Sequence, residues 1–418
     1  MRSQLLAAAL LPHLLGAAAV PLWEPTGPYH VGYTQHLFNH STPLDPTPNP
    51  GILLLSIYYP TLQAPNTTVA YIDATTAQAY EQALGFRNGS LSTVTTQLQH
   101  QAPTLVGTHP AFGNGSSPYP TLIFTPGAGG QVAIYKAYLS ELASHGFTVV
   151  AVDHPGEALY TPLPPGHGAP GVAGPSAIMS GTAAPETFRQ IYAYRVADIQ
   201  AVMAAPVLPA LVAEHSAPFN TTHFGVWGHS IGGAGAAGAI IAALQSNDSA
   251  APPRFRAGAN LDGAFQHLLR TNANDTASVP DPSAPSPDLR TPFLELASGR
   301  FKAREDGGGG PGDDTTWALF NRNQSAWLRD VYVSGTAHLD YSDLPLLVDA
   351  LGQREGVGAG PSQLGGIAGK RVTEVVTGLL VRFFGEMIGG GGGPGGLPGS
   401  ADEFIAETPE AVVLAARG

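Results

Sequence analysis

The feature that most constrains this chain is the pentapeptide Gly228-His229-Ser230-Ile231-Gly232 in its setting. It follows the apolar run Phe224-Gly225-Val226-Trp227 and opens onto Gly233-Ala234-Gly235-Ala236. This reads as a strand, a sharp turn and a small-residue helix. A serine at such a turn takes a strained backbone, and its flanks must be glycine because a side chain there would strike the neighbouring strand or helix. The turn lifts the Ser230 hydroxyl to a helix N-terminus, where free N–H groups and the helix dipole favour developing negative charge.

Such a turn needs a sheet beneath it. Strand-like segments at 121–125, 147–153, 223–228, 255–262, 292–297 and 330–333 are interleaved with helical spacing at 133–144, 186–204, 231–244 and 371–387. Ahead of them come strands at 29–38 and 52–59 and a helix at 75–84. The strands are continuously apolar, the mark of a parallel sheet covered on both faces. The expected fold is α/β: a mostly parallel central sheet with helices on both faces, in one domain over 20–388. The glycine runs at 307–312 and 389–399 read as loop or linker, and 389–418 as a Gly-rich linker and tail of no assigned role.

A serine hydroxyl is a weak nucleophile at neutral pH and requires a general base. For a nucleophile on this kind of turn the chain order is Ser, then Asp or Glu, then His. Of fourteen histidines only His267 and His338 follow Ser230. His267 sits in an apolar segment that reads as helix or packing. His338 follows the last expected strand, where a loop can present an imidazole over the strand ends, and is the expected base. Asp262, at a strand end, is the favoured acid to orient it, with Glu305 and Asp306 as rivals beside a glycine run. An oxyanion would be held by the backbone N–H of Ile231 and by one from Pro126-Gly127-Ala128-Gly129-Gly130, for which Ala128 is chosen. His154 is read as structural or substrate-facing, and Arg195 with Asp198 as a structural pair on one helix.

Composition narrows the partners. A net charge of −12 disfavours nucleic acid and anionic lipid surfaces. There is no cysteine, hence no disulfide, thiolate metal site or cysteine nucleophile. No His, Asp and Glu spacing suggests a metal and no glycine loop carries a phosphate-binding lysine, so no cofactor is expected. With 43% hydrophobic residues in 418, a large packed core is feasible without cross-links. Arg2, the apolar stretch 5–15 and Ala17-Ala18-Ala19 have the order of a signal peptide, expected over 1–19, and no later segment reads as a membrane span. Eight of the twelve asparagines open Asn-X-Ser/Thr: Asn39, Asn66, Asn88, Asn114, Asn220, Asn247, Asn274 and Asn323. These are glycosylation candidates, and the expected location is extracellular.

A family resemblance rests on several runs in order: Phe124-Thr-Pro-Gly-Ala-Gly-Gly, Leu142-Ala-Ser-His-Gly-Phe-Thr-Val-Val-Ala-Val-Asp-His-Pro, Gly228-His-Ser-Ile-Gly-Gly, Asn260-Leu-Asp-Gly and Thr336-Ala-His338. Over roughly 50–386 the chain resembles the plasma-type platelet-activating-factor acetylhydrolases and their secreted fungal relatives, α/β-hydrolases. The resemblance implies Asp262 over Asp306 as the acid and Ala128 as the oxyanion residue of the glycine loop. It implies calcium-independent hydrolysis of a short sn-2 acyl ester of a phospholipid, of the 1-alkyl-2-acetylglycerophosphocholine type, with transient contact at a lipid interface. The long Pro/Gly loops depart from the family. Other readings are a polyester or cutin-type hydrolase, a general carboxylesterase, and a catalytically inactive hydrolase fold that binds ligands.

Overall fold

The computed structural model describes residues 19–42, 45, 47–48, 50–104, 119–164, 169–204, 207–215, 219–246, 255–274, 277–299, 315–357, 364–389 and 399–418. Residues 1–18 of the expected signal peptide, Asn114, Asn247, Glu305 and Asp306 lie outside them.

Ten strands share one sheet. In chain order they are β1 (His30–Asn39), β2 (Ile52–Thr61), β3 (Gln99–His100), β4 (Tyr119–Thr125), β5 (Thr148–Asp153), β6 (Phe219–His229), β7 (Phe255–Leu261), β8 (Phe293–Ala297), β9 (Leu328–Val333) and β10 (Ala411–Arg417). Their order across the sheet is β10-β9-β8-β7-β6-β4-β5-β2-β1-β3. The six from β9 to β5 run parallel, and β2 and β10 flank them antiparallel. Successive strand residues bury on opposite faces: Leu122, Phe124 and Trp227 on one, Ile123 and Val226 on the other. Both faces are therefore core, as continuously apolar strands require. The first face is covered by α1 (Ala74–Leu84), α2 (Lys136–Ser144), α5 (Leu344–Ala350) and α6 (Gly369–Met387). The second is covered chiefly by α3 (Pro185–Ala204) and α4 (Ile231–Gln245).

This topology sets where a site can form. After β4 the chain crosses to β5 on one side, and after β6 it crosses to β7 on the other. The order reverses between β4 and β6, and the loops leaving their carboxyl ends part to leave a crevice. Those loops hold Gly127–Gly130 and Ser230. Asp262 follows β7 and His338 follows β9, so every expected site residue emerges at the same end of the sheet.

One expectation is corrected. The segment after the second glycine run is not a free tail. Ser400 caps α7 (Ala401–Glu407), accepting the Glu403 N–H while Glu403 reaches back to the Ser400 N–H, and β10 then pairs along β9. Arg329 holds Asp402 at 2.7 Å and Arg371 holds Glu410 at 2.7 Å. The structured domain thus extends to Arg417. The segment Pro185–Glu214 is, by length and composition, apolar enough to cross a membrane. Yet α3 packs on α4 and carries fully buried Arg195 and Asp198, each with partners inside the fold. That is how a core helix behaves.

Candidate active site

Ser230 takes φ 56° and ψ −128° at the end of β6, one of four non-glycine residues with positive φ among those described. The glycines around it are sterically required. A Cβ on Gly228 would lie 2.5 Å from the carbonyl oxygen of Thr125, and one on Gly232 would collide with that oxygen and lie 2.5 Å from that of Pro126. A Cβ on Gly233 would strike the Asn260 side chain, and one on Gly263 the Ser230 carbonyl. The turn is held from below by the Ser230 N–H, which donates to the Leu261 carbonyl at 2.7 Å. Ser230 stays half-buried and so reachable, whereas Ile231 behind it is buried.

The structure brings Ser230, His338 and Asp262 together. His338 Nε2 is 3.0 Å from Ser230 Oγ, and His338 Nδ1 is 2.7 Å from Asp262 Oδ2. The other carboxylate oxygen, Oδ1, accepts the Ser298 N–H at 2.6 Å from the end of β8. Asp262 itself has φ 55° and no exposure, while the His338 side chain keeps 27%. Burial alone would push the Asp262 carboxyl up, but the hydrogen bonds and charge of His338 and the Ser298 N–H outweigh it and hold the carboxyl below its usual range. An ionised Asp262 fixes the proton on Nδ1 and leaves Nε2 to accept the serine proton. The His338 loop is pinned by Asp340, whose Oδ2 accepts the Ala337 N–H at 2.7 Å and the Gly365 N–H at 2.6 Å.

His229, inside the elbow, joins three parts of the site. Its Nε2 lies 2.9 Å from the His338 carbonyl and its Nδ1 2.9 Å from Tyr135 Oη, which accepts the Gly127 N–H at 3.1 Å. A carbonyl can only accept, so Nε2 carries the proton and Nδ1 accepts from Tyr135. Burial, then the neighbouring His338, lowers the pKa of His229 to about 3, so it is neutral throughout the physiological range.

The loop after β4 lies against the nucleophile: a Cβ on Gly127 would sit 3.4 Å from Ser230 Cβ. Among the described residues, neither the Ala128 N–H nor the Ile231 N–H has a hydrogen-bond partner. Their side chains share one apolar cluster with Ile178, Ile191 and Tyr194, and Phe188 packs on it half-buried. The arrangement can deliver a nucleophile, a base and two backbone donors to one carbonyl carbon.

The remaining readings divide. His267 is packing: it lies in a 3-10 turn beside Phe265, and burial lowers its pKa to about 4. His154 is structural, 3% exposed with Nδ1 2.7 Å from Asp198 Oδ2. The expected Arg195–Asp198 pair does not form. Arg195 pairs with Glu157, and Asp198 with His154 and Thr42. Three residues apart, the two side chains leave the helix at different heights and meet different loops. Sequence reasoning missed Glu157, Tyr135 and the role of His229, because each acts through a partner distant in sequence. The sequon asparagines Asn39, Asn66, Asn88, Asn274 and Asn323 are exposed. Asn220 is not: it is 5% exposed, and its Oδ1 accepts the N–H groups of Thr222 and His223. A glycan there would require that turn to open.

Residues 17–161 match the model of a family described as platelet-activating factor acetylhydrolase, isoform II, which bears out the resemblance read from the motifs. The matched span holds the Gly127–Gly130 loop and ends before Ser230. Among solved structures, a ferulic acid esterase from Streptomyces cinnamoneus is similar over 95% of this chain and 100% of its own, with a TM-score of 0.67 at 22% identity. That likeness shows the α/β-hydrolase fold. No curated protein matches the sequence. The family match over residues 17–161 points towards an ester hydrolase, and the solved structure shares the fold such hydrolases use.

Proposed function

We propose that this chain is a secreted serine carboxylic-ester hydrolase acting through an acyl-enzyme. The observation that carries the reading is the line Ser230 Oγ, His338 Nε2, His338 Nδ1 and Asp262 Oδ2, spaced 3.0 Å and 2.7 Å, with the serine on a strained elbow. In this reading Ser230 attacks the ester carbonyl while His338 takes its proton, and the Ala128 and Ile231 amides receive the oxyanion. His338 then gives the proton to the departing alkoxide, and water repeats the steps to free the acid.

The substrate we propose is a phospholipid with a short sn-2 acyl group, as the family match supports. The apolar cluster of Ile178, Ile191, Tyr194 and Ile231 includes the residue after the nucleophile and so places apolar side chains beside the elbow, as an acyl ester requires. Five exposed sequon asparagines and the expected signal segment support passage through a glycosylating compartment.

The test compares p-nitrophenyl esters of rising chain length with an sn-2 acetyl phospholipid and a soluble polyester, using wild type and Ser230→Ala. Turnover of acetyl substrates that falls with chain length and vanishes in Ser230→Ala is expected. Efficient polyester cleavage with an inert phospholipid would replace the substrate assignment. No turnover and no labelling by a fluorophosphonate would overturn the enzyme reading itself.

A further inference from the structure

The loop from Pro126 to Gly130 is irregular, yet its polar groups are almost fully assigned. Arg195, on α3, and Glu157, on the loop after β5, are 0% and 1% exposed and meet side-on, with Nε to Oε2 at 3.0 Å and Nη2 to Oε1 at 2.6 Å. Arg195 Nη1 donates to Thr125 Oγ1 at 2.5 Å and to the Pro126 carbonyl at 2.6 Å. Its Nη2 leans towards the Gly127 carbonyl at 3.4 Å. From the carboxylate side, Glu157 Oε1 accepts the Gly129 N–H at 3.0 Å, and Tyr194 donates its hydroxyl proton to Oε2. Tyr135 accepts the Gly127 N–H, and the Gly130 N–H closes on the Gly127 carbonyl at 3.0 Å. Of the four amides from 127 to 130, only that of Ala128 is left over. Gly129 has φ 69°, and a Cβ there would lie 2.6 Å from the Met179 N, so the loop cannot relax on that side either.

We propose that the Arg195–Glu157 pair is the positioning device for the second oxyanion donor. It grips the loop by carbonyls on one side of Ala128 and by an amide on the other, so that the Ala128 N–H alone faces the crevice. The pair touches neither substrate nor nucleophile. A buried ion pair is weak as a source of stability, since desolving two charges offsets most of their attraction, and uncharged residues of similar size often replace such pairs without loss. Here both charges are bonded to the loop as well as to each other, so the pair fixes a conformation that apolar packing could not specify. A rigid donor is what an oxyanion site needs, because its dipole must be aimed before the charge develops.

This inference rests on the serine-hydrolase reading, and the experiment separates the two. The decisive variant is the double change Arg195→Met with Glu157→Gln, which leaves no unpaired charge buried and so keeps the fold. Glu157→Gln and Arg195→Lys accompany it. Thermal unfolding, kcat and KM for p-nitrophenyl acetate, the pH profile and inhibition by a short-chain trifluoromethyl ketone are measured. The ketone's adduct with Ser230 places a formal oxyanion in the hole. For the double variant we expect unfolding within a few degrees of wild type, kcat lower by about tenfold to a hundredfold and KM within threefold, a mis-aimed donor costing less than the roughly 10²–10³-fold lost when one is removed outright. The ketone should weaken by the same factor as kcat, with the midpoint of the pH profile unmoved. A folded double variant with kcat and ketone affinity within threefold of wild type would overturn the positioning role. If the double variant does not fold, the same limits applied to folded Glu157→Gln or Arg195→Lys decide it, and a wholly structural pair is concluded if none of the three folds. Undiminished turnover in Ser230→Ala would instead overturn the reading of Ser230 as the nucleophile.

Discussion

Asp262→Asn is the substitution whose consequence the geometry fixes most tightly. The carboxylate accepts twice: from His338 Nδ1 at 2.7 Å and from the Ser298 N–H at 2.6 Å. Asparagine offers one accepting oxygen and one donating amide. The Ser298 N–H is a backbone donor at the end of β8 and cannot change sign, so a facing amide would set two donors 2.6 Å apart. The imidazole can change sign by moving its proton. The asparagine must therefore turn its oxygen to Ser298 and its amide to His338, forcing Nδ1 to accept and placing the proton on Nε2. That nitrogen then donates to Ser230 Oγ at 3.0 Å, where it should have accepted. The nucleophile loses its base with the site's shape intact, and kcat should fall by about 10⁴-fold, the loss that a wrong histidine tautomer brings in serine hydrolases. Single-turnover and steady-state assays on p-nitrophenyl acetate measure it, with circular dichroism and thermal unfolding as controls for the fold. Partial recovery at high pH, where hydroxide can take the serine proton, is expected. A loss below tenfold in a folded variant would refute the role of Asp262 and redirect the search to acids after β8.

Three further outcomes follow from individual contacts. Gly232→Ala should cost about 4 kcal/mol or more, because its Cβ would overlap the backbone of Thr125 and crowd Pro126, and neither strand end can yield; denaturant unfolding of this variant should show it. Glu295 is fully buried and stands opposite Asp330 on β9. Burial first, and then Asp330, hold its pKa well above the usual 4.5. A raised folded pKa stabilises the protein fully below the unfolded value and loses that contribution as pH rises through the folded one. Glu295→Gln removes this dependence, so its melting temperature should gain on wild type as pH rises from 5 to 9, and a difference that shrinks with pH would contradict the assignment. Peptide mapping of the protein expressed through a glycosylating secretory pathway should find glycans among Asn39, Asn66, Asn88, Asn274 and Asn323 and none at Asn220, whose side chain is committed to Thr222 and His223.

Local patterns carried much of this architecture. The apolar runs that became β4, β5, β7 and β8 were readable because a strand buried on both faces has no polar phase to confuse it. The elbow was readable because three constraints coincide in five residues: a strained serine, glycines that a Cβ would exclude, and a helix start. What resisted reading is non-local. β10 is a seven-residue strand beyond α7 and a glycine run, and only pairing with β9 and the ion pairs of Arg329 and Arg371 make it a strand. Arg195 and Asp198 looked like partners because their spacing is the only relation a sequence can show. Their real partners, Glu157 and His154, lie 38 and 44 residues away. Polar groups buried at distance leave no periodic trace, so the residues that support a site are the hardest to foresee.

The strain at the site is itself informative about how those supports work. Ser230 and Asp262 are two of the four described non-glycine residues with positive φ, and they touch through backbone: the Ser230 N–H bonds to Leu261, and Gly263 packs on the Ser230 carbonyl so closely that no Cβ fits. Each such conformation costs on the order of 1–3 kcal/mol and persists only where surroundings over-determine it. Here the surroundings are shared. Asn260 donates through Nδ2 to the Gly263 carbonyl at 2.8 Å and accepts the Gly263 N–H through Oδ1 at 2.9 Å, while that same oxygen abuts Gly233 of the elbow helix. One side chain thus braces the turn carrying the acid against the helix behind the nucleophile. The distance from Ser230 to the carboxylate that orients its base is therefore set by the backbone of two adjoining strained turns, and not by the free rotation of either side chain.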